Sequence, residues 1–542
     1  MATVLAQTAR DDARLRFRVF TGLVIGLVAF LGARLVQMQI VDREQYTTEA
    51  EGNAIETKIV RPARGYIFDR HGTLLVDNET TVSVTVAPRY FDEADLPLVA
   101  ELAGRPLDEV AARYAQITER SAYQEDVLLE NVPFWTYARL QENQYRLRGI
   151  NFREDQQRRY RGGARLTHAL GFVNEINGDE LDRMREQGYR LGDRIGKSGL
   201  EAEYEPVLRG RVGRAFVLKN VHGMEVEAYE GGEQDVAPQS GAALTLAVDA
   251  TVQALAESLF VNKRGGAVML DAKTGGIISM VSAPDFDLSI YRDGFTQAEV
   301  DFLYRNPEQP DFNRATQTSL PPGSTWKPFM AAVALEEGMI DEDTELYCGG
   351  GYRLGRLYRC HGGSHGNISV RRAIQVSCNT FFFRLMNDTF VNDRHPEGIR
   401  MDLDRWGMWA NRFGFGQLAP LDLPNQKPGL IPDSAYYDRV FPAGWGPGYT
   451  VNLGIGQGNM GVSPLQLARY TAAIGNGGTL VTPHLVMAQT DPATGETRMP
   501  SRRRPQQIPI EPRNLQVVRE GMELVVTAGT ARVAQIPAFG DY

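Results

Sequence analysis

The chain has 542 residues, of which 43% are hydrophobic and 23% are charged. This composition excludes wholesale disorder, and the length exceeds what one domain normally needs, so two or three separately cored regions are expected. The net charge of −9 gives no reason to expect a nucleic-acid partner. The short basic tracts at residues 158–159 and 502–504 are typical of solvated surface.

The first predicted element is a membrane-spanning helix. Residues 19–33 carry no charge, and the apolar pattern continues past Arg34 to residue 41, which is long enough to cross a bilayer. Four arginines lie within residues 1–18, so the positive-inside rule places that segment in the cytoplasm and everything after residue 41 outside. The alternative is a cleavable signal peptide, but no small-residue cleavage site follows the run cleanly.

Two larger regions are predicted after the anchor. Residues 42–240 alternate short β-like runs, such as 82–86, with polar helical stretches. This pattern predicts an α+β region that positions the rest of the chain and takes no part in catalysis. Residues 241–542 begin with a strand at 244–248 and a strand-turn-strand hairpin at 266–281, and helical segments follow. Strands with helices clustered between them predict a second α+β domain.

The sequence around Ser324 carries the clearest chemical signal. A proline-glycine turn ends just before it, and residues 325–337 form a predicted helix that stops at Gly338. Positions i and i+3 share a helix face, so Lys327 is expected to lie beside the Ser324 hydroxyl and to accept its proton. Desolvation or nearby positive charge must lower the pKa of such a lysine toward neutrality. A Ser-x-x-Lys pattern by itself also arises as an N-cap serine followed by a solvated lysine.

Two further motifs follow Ser324 along the chain. They are Ser377-Cys378-Asn379 and the glycine-rich segment 454–458. With the Ser-x-x-Lys motif they resemble the penicillin-binding proteins and serine β-lactamases, whose active sites combine S-x-x-K, S-x-N and K-T-G. The resemblance implies that Ser324 is the nucleophile and that Lys327 is the base that accepts its proton. It also implies that Ser377 relays a proton and that Asn379 hydrogen-bonds to the amide of the acyl donor. It implies no cofactor for the chemistry.

The resemblance extends over most of the chain. Three segments resemble motifs in the N-terminal pedestal of class B penicillin-binding proteins: 64–78 (RGYIFDRHGTLLVDN), 159–173 and 196–210. The implied α+β architecture has one N-terminal transmembrane helix at 19–41, a pedestal (dimerisation-like) domain at 42–240 and a penicillin-binding/β-lactamase-like transpeptidase domain at 241–542.

The implied function is that of a serine-type peptidoglycan D,D-transpeptidase of cell elongation, held in the bacterial inner membrane with its catalytic domain in the periplasm. The expected partners are peptidoglycan stem peptides and their lipid-linked precursor, β-lactams, the elongation complex and a SEDS-family membrane glycosyltransferase such as RodA. Two other functions stay open: a division-specific class B transpeptidase, and a non-catalytic penicillin-binding scaffold or sensor.

The three cysteines of the chain lie in one segment, an arrangement that resembles a metal site behind the S-x-N motif of some elongation-type relatives. Cys348, Cys360 and Cys378, with His365, are the soft-ligand set of a closed, structural Zn²⁺ site. His361 directly follows Cys360 and is the reserve ligand, because adjacent residues rarely converge on one metal. The alternative is a Cys348–Cys360 disulfide with Cys378 free. If residues 377–379 form a helical turn, the Cys378 side chain points about 100° away from its neighbours.

The third family motif, K-T-G, does not occur downstream of Ser377. After a last predicted helix at 515–526, the sequence continues through Gly529-Thr530 to Tyr542. In the family that it resembles, a segment of this kind comes shortly before the K-T-G strand. We therefore expect the domain at 241–542 to be incomplete, and the 542-residue chain to have little or no transpeptidase activity.

Overall fold

The computed structural model describes residues 2–41, 55–123, 125–219, 225–292, 296–391 and 398–536. The chain groups into two compact units, one formed by residues 1–62 with 211–239 and the other by residues 63–210 with 240–542.

The strands of the described residues are, in chain order, β1 Ile55–Val60, β2 Ile67–Phe68, β3 Leu74–Val86, β4 Asp126–Val132, β5 Ile150–Tyr160, β6 Val173–Glu175, β7 Arg194–Gly196, β8 Gly213–Lys219, β9 Glu225–Ala228, β10 Ala243–Leu246, β11 Gly265–Leu270, β12 Ile277–Ala283, β13 Leu346–Cys348, β14 Gly351–Leu354, β15 Arg356–Arg359, β16 Gly366–Ile368, β17 Thr479–Leu480, β18 Val486–Thr490, β19 Thr497–Arg498 and β20 Gln506–Gln507.

The α-helices of the same residues are, in chain order, α1 Ala2–Val36, α2 Leu96–Ala103, α3 Leu107–Arg120, α4 Phe134–Glu142, α5 Thr167–Leu170, α6 Gly178–Met184, α7 Gly199–Glu203, α8 Glu205–Leu208, α9 Ala250–Leu259, α10 Gln297–Val300, α11 Lys327–Glu336, α12 Val370–Gln375, α13 Asn379–Arg384, α14 Ile399–Arg412, α15 Ser434–Val440, α16 Pro447–Thr450, α17 Pro464–Gly475 and α18 Pro512–Thr527.

The first unit contains the predicted anchor. Helix α1 continues into a π-helical turn at Gln37–Val41, and within this stretch Val19–Ile40 has a mean hydropathy of 2.2. Among the described residues, this is the one helix that is long and apolar enough to cross a membrane. It fits a single-pass membrane anchor. Strands β1, β8 and β9 form an antiparallel sheet in the same unit.

The second unit is built on a seven-stranded sheet with the order β19-β18-β10-β2-β3-β4, in which β5 also pairs with β3. The long β3 pairs antiparallel with β5 from Val76 opposite Tyr160 to Val86 opposite Ile150. Strands β2 to β5 come from residues 42–240, whereas β10, β18 and β19 come from residues 241–542. The boundary drawn from the sequence at residue 240 therefore crosses a sheet to which both sides contribute strands.

Charged residues of the pedestal segments meet inside this unit. Glu201 is fully buried and accepts hydrogen bonds from Arg64 Nε at 2.6 Å and from Arg158 Nε at 2.7 Å. Arg158 also donates to the carbonyl of Gly65 at 2.7 Å. The prediction of solvated surface is therefore wrong for Arg158. Removing one partner of such a buried pair typically costs about 3–5 kcal/mol, because the other charge stays buried.

The core of the region 241–542 surrounds α11. Every residue from Lys327 to Leu335 is buried, as expected of a helix that is packed on all sides. The predicted strand at 244–248 and the hairpin at 266–281 correspond to β10 and to the antiparallel pair β11–β12. The predicted α+β fold is confirmed.

Candidate active site

Ser324 lies at the exposed start of the buried helix α11. A 3-10 turn, Gly323–Trp326, precedes the helix, and Pro328 occupies the first turn, where N–H groups have no partner within the helix. The Trp326 ring is fully buried, with the Phe329 ring centroid 4.3 Å away. This buried ring anchors the turn and leaves the Ser324 hydroxyl at the surface.

A chain of hydrogen bonds joins Ser324 to Lys327. Lys327 Nζ donates to Ser377 Oγ at 2.9 Å, to the Ser377 carbonyl at 2.7 Å and to Asn379 Oδ1 at 2.8 Å. Ser377 Oγ donates to Ser324 Oγ at 3.0 Å. The structure thus brings together all four residues that the sequence predicts for the reaction.

The path between the two predicted partners differs from the expectation. The i, i+3 spacing predicts direct contact between Lys327 and the Ser324 hydroxyl, but in the described part of the chain the hydrogen bonds connect them through Ser377. The reason is that residues 323–326 form a 3-10 turn, which changes the direction of Ser324 relative to a continuous α-helix. Ser377 is therefore placed to move the proton from the nucleophile as well as toward a leaving group.

Burial lowers the pKa of Lys327 and so favours the neutral amine, the form that can act as a base. Its side chain is 1% exposed, and this desolvation lowers its pKa to about 8. The nearby Cys378 and Cys360 act in the opposite direction. The prediction that the pKa of this lysine is lowered toward neutrality is in agreement with this shift. A substantial fraction of the amine is then neutral near pH 8 and can accept a proton.

We predict a pH dependence for acylation that follows Lys327. Its pKa is lowered to about 8, so the neutral base predominates above that pH, and the acylation rate should level off there and fall about tenfold per unit below it. The measurement is the second-order rate of labelling by a fluorescent penicillin between about pH 6 and 9.5. Lys327→Ala should label far more slowly and lose this rising limb. A flat wild-type profile would show that another group activates Ser324.

The Ser377-Cys378-Asn379 segment is not a regular helical turn. Ser377 has φ +52°, in the left-handed region that costs a non-glycine residue energy, and Cys378 is extended as the N-cap of α13. The Cys378 Sγ accepts a hydrogen bond from Phe381 N at 3.4 Å. The expectation of a helical turn at 377–379 is therefore wrong. Strained backbone of this kind is common at catalytic sites, and here it aims Ser377 at both Lys327 and Ser324.

The glycine-rich segment 454–458 supports the site through its backbone. Gly323 N donates to the Gly456 carbonyl at 2.8 Å, and a Cβ on Gly456 would lie 2.3 Å from the Gly323 carbonyl oxygen. A Cβ on Gly454 would lie 2.5 Å from the Phe382 carbonyl oxygen in α13. The segment therefore packs against both the Ser324 turn and the helix that follows Asn379. The sequence motifs gave this segment no specific role, although its repeated glycines indicate close backbone approach.

The predicted metal ligands also converge. The ligand atoms of Cys348, Cys360, His365 and Cys378 lie within 4.8 Å of one another. His365 Nδ1 lies 3.5 Å from Cys348 Sγ and 3.6 Å from Cys360 Sγ, and the Sγ atoms of Cys360 and Cys378 are 3.6 Å apart. Ligands about 2.0–2.3 Å from a tetrahedral Zn²⁺ have mutual separations of this size. All three cysteines are free thiols.

The electrostatics of this cluster favour a thiolate. The hydrogen bond from Cys378 lowers the pKa of Cys360, and the backbone and side chain of Thr380 act in the same direction. Thiolates are the form of cysteine that binds metals. His361, the reserve ligand, is not a member of the converging group. The donor set therefore fits a structural Zn²⁺ directly behind Ser377 and Asn379.

Comparison with known proteins identifies the class. Residues 265–541 match the penicillin binding protein transpeptidase domain, and residues 59–246 match the penicillin-binding protein dimerisation domain. The chain belongs to the class B penicillin-binding proteins, and it carries the transpeptidase domain of a serine acyltransferase. The resemblance seen in the sequence is thereby confirmed.

Individual relatives and a solved structure show which members of this class the chain resembles. The peptidoglycan D,D-transpeptidase MrdA of Acinetobacter baumannii is 32% identical over 488 residues, which cover 87% of this chain and 69% of that protein. MrdA of Escherichia coli is 31% identical over 484 residues, which cover 86% of this chain and 74% of that protein. Among solved structures, PBP2 of Helicobacter pylori in complex with MreC has a TM-score of 0.73 and 25% identity, and the match covers 89% of this chain and 87% of that one.

One Lys-Thr-Gly triplet does occur upstream of the site, at Lys273–Gly275. It forms the turn between β11 and β12, where Asp271 Oδ1 accepts hydrogen bonds from Lys273 N at 2.9 Å and Thr274 N at 2.8 Å. The triplet is therefore a capped hairpin turn, which differs from the K-T-G strand of the family's active sites.

Proposed function

We propose that this protein is a peptidoglycan D,D-transpeptidase that cross-links stem peptides during cell elongation and is acylated by β-lactams. The observation that carries the proposal is the chain Ser324–Ser377–Lys327, in which an exposed hydroxyl is hydrogen-bonded through a second serine to a buried amine. This is the arrangement that an activated serine nucleophile needs.

The geometry supports the following reaction. Ser324 Oγ attacks the penultimate carbonyl of a D-Ala-D-Ala stem, and its proton passes through Ser377 to Lys327. The C–N bond to the terminal D-alanine breaks, the departing amine takes the proton back along the same path, and an ester on Ser324 remains. The amine of a second stem then attacks this ester, forms the cross-link and restores the Ser324 hydroxyl. Asn379 Oδ1 continues to accept the hydrogen bond from Lys327 Nζ, and Asn379 Nδ2 can donate a hydrogen bond to the amide group of the acyl-donor peptide.

A product assay tests this function. A chain that carries a complete K-T-G strand, here called the full-length protein, should release D-alanine from uncross-linked glycan strands with pentapeptide stems and should form cross-linked dimers, detected by mass spectrometry. Prior treatment with penicillin should remove both products. Penicillin acylation without either product would support the non-catalytic scaffold or sensor instead.

The role in elongation and the membrane partner are part of the same proposal. The role in elongation is supported by the similarity to MrdA proteins and to a PBP2 solved in complex with MreC, and the membrane partner is supported by the charged Arg34 within the apolar helix. We propose that the anchor places the chain after residue 41 in the periplasm and that a SEDS-family glycosyltransferase such as RodA contacts the anchor.

Arg34 provides a test of the membrane contact. A charged residue within a membrane span normally faces protein or water, so Arg34→Leu should weaken co-purification with RodA, whereas Leu35→Ala serves as the neighbouring control. Equal recovery of RodA with wild type and Arg34→Leu would contradict a contact at this residue.

We also propose that Cys348, Cys360, His365 and Cys378 hold one structural Zn²⁺. The convergence of three thiols and one imidazole supports it. The bound ion would supply a rigid cross-link between the segment 348–365 and the Ser377 turn, and it would take no part in acyl transfer. The position of Cys378 between Ser377 and Asn379 makes that cross-link a support for the catalytic geometry.

A further inference from the structure

The feature that carries a further inference is a hairpin beside the active site, here named the basic hairpin, which comprises β14 and β15. Its antiparallel register places Gly351 opposite Arg359, Arg353 opposite Leu357, and Leu354 opposite Arg356. The hairpin follows Cys348 closely and ends directly before Cys360, so two members of the cysteine cluster flank it. Neither the proposed reaction nor the proposed metal site uses its arginines.

The two faces of the basic hairpin differ. Tyr352 and Tyr358 face the core, and their ring centroids lie 6.4 Å and 5.6 Å from that of Phe383. Side chains alternate along a strand, so Arg353 and Arg359 lie on the opposite face, and both are exposed. They are diagonal neighbours in the register, a position typically about 7–8 Å apart between backbone atoms, which long side chains can bridge.

The end of the hairpin abuts the catalytic residues. The Arg359 carbonyl lies 3.5 Å from Asn379 Nδ2, and the next residue, Cys360, has its Sγ 3.6 Å from Cys378 Sγ. Asn379 in turn accepts the hydrogen bond from Lys327 Nζ at 2.8 Å. The end of the basic hairpin at Arg359 therefore lies beside Asn379.

The arginines at this border have no ion-pair partner among the residues that the structure describes. Among the described residues, neither Arg353 nor Arg359 forms an ion pair within 4.0 Å, whereas Arg384 nearby pairs with Asp388 at 3.3 Å. The Lys327 ammonium already donates to three protein oxygens and is buried, so it is not available to a substrate carboxylate. Two unpaired guanidinium groups on one face repel each other, and an anion between them removes that repulsion.

We propose that Arg353 and Arg359 form a carboxylate-binding subsite for the stem peptide. This rests on the proposed function, because the stem peptide is the substrate class named there. Guanidinium groups bind carboxylates through paired N–H···O bonds with fixed geometry, so this face would select acidic stems and orient them toward Asn379. The carboxylate can belong to the acyl-donor stem, in which case the subsite affects acylation of Ser324. It can instead belong to the acceptor stem, in which case the subsite affects the attack on the acyl-enzyme.

The test compares the Arg353→Gln/Arg359→Gln double variant with Arg356→Gln, in the full-length protein. Arg356 is a matched control because it lies on the other face, with its guanidinium 4.7 Å from the centre of the Tyr358 ring. Both substitutions keep the backbone carbonyl that contacts Asn379. Concentrations are normalised by titration with fluorescent penicillin, and two substrates are used: a stem peptide with free carboxylates, and the same peptide with its carboxylates amidated.

The double variant should lose about tenfold in kcat/KM for the acidic peptide, mainly through a higher KM, because it lacks the charged hydrogen bonds. Wild type should show a similar loss when the peptide is amidated, and the double variant should show no further loss. A lower rate of D-alanine release would assign the carboxylate to the donor. A shift from cross-linking to hydrolysis of the acyl-enzyme would assign it to the acceptor.

Equal losses for acidic and amidated peptides in the double variant would overturn the subsite and indicate a structural role for the hairpin. Equal kcat/KM of wild type for the two peptides would also overturn it. Failure of wild type to process either peptide would count against the proposed function, and direct binding of the two peptides, measured by calorimetry, would then decide the subsite. Equal affinity for both peptides in that measurement would refute it.

Discussion

Replacing Ser324 by alanine is expected to abolish covalent labelling by β-lactams. Ser324 is the exposed hydroxyl at the end of the hydrogen-bonded chain, and Ser377 and Lys327 can activate it but are not placed to replace it. Without the Oγ atom no ester can form at this site. Intact-mass spectrometry of the full-length protein after incubation with penicillin should therefore show one adduct in wild type and none in Ser324→Ala.

Thr325→Ala is the matched control. Thr325 is the adjacent exposed hydroxyl, but its Oγ1 donates to the Pro322 carbonyl at 2.8 Å and does not join the catalytic chain. This variant should keep its adduct. An adduct of undiminished amount in Ser324→Ala, or a labelled peptide that maps to another residue, would refute the assignment of the nucleophile.

Removal of zinc is expected to destabilise the folded protein and to slow its acylation. The four proposed ligands would link β13, the residues after β15 and the start of α13. Binding of structural zinc contributes directly to folding, with apparent free energies of about 10–16 kcal/mol in small zinc domains. Elemental analysis should find one zinc per chain. Chelation should lower the unfolding temperature by many degrees, and it should slow penicillin acylation because the Ser377 turn loses its support.

Single substitutions separate the ligands from their surroundings. Cys378→Ser should lose the metal and show the lower unfolding temperature without chelator. His361→Ala is the matched control, because His361 lies next to Cys360 but outside the converging group, and it should keep zinc. Protein that contains no metal, together with a Cys348–Cys360 cross-link in non-reducing peptide maps, would establish the disulfide alternative.

Several features of this protein could be predicted from the sequence because they are local. The motifs predicted that Ser324, Lys327, Ser377 and Asn379 act together, and these four residues do lie together in the structure. The apolar run at 19–41 predicted a helix long enough to span a membrane, since a span needs a minimum number of apolar residues. The strand-turn-strand pattern at 266–281 predicted the β11–β12 hairpin. The clustering of three cysteines with His365 predicted a group that does converge.

Other features were decided only by tertiary structure, because they depend on contacts between segments far apart in the chain. Ser377 lies between Lys327 and Ser324 since a 3-10 turn and a left-handed residue meet there, and no local pattern encodes that meeting. Arg158 looked like surface charge in the sequence, yet it is buried, because Glu201 supplies its counterion from another segment. The motifs thus determined which residue types could react. Packing around α11 determined which atoms touch, because burial is a property of the assembled core and lowers the pKa of Lys327 only there.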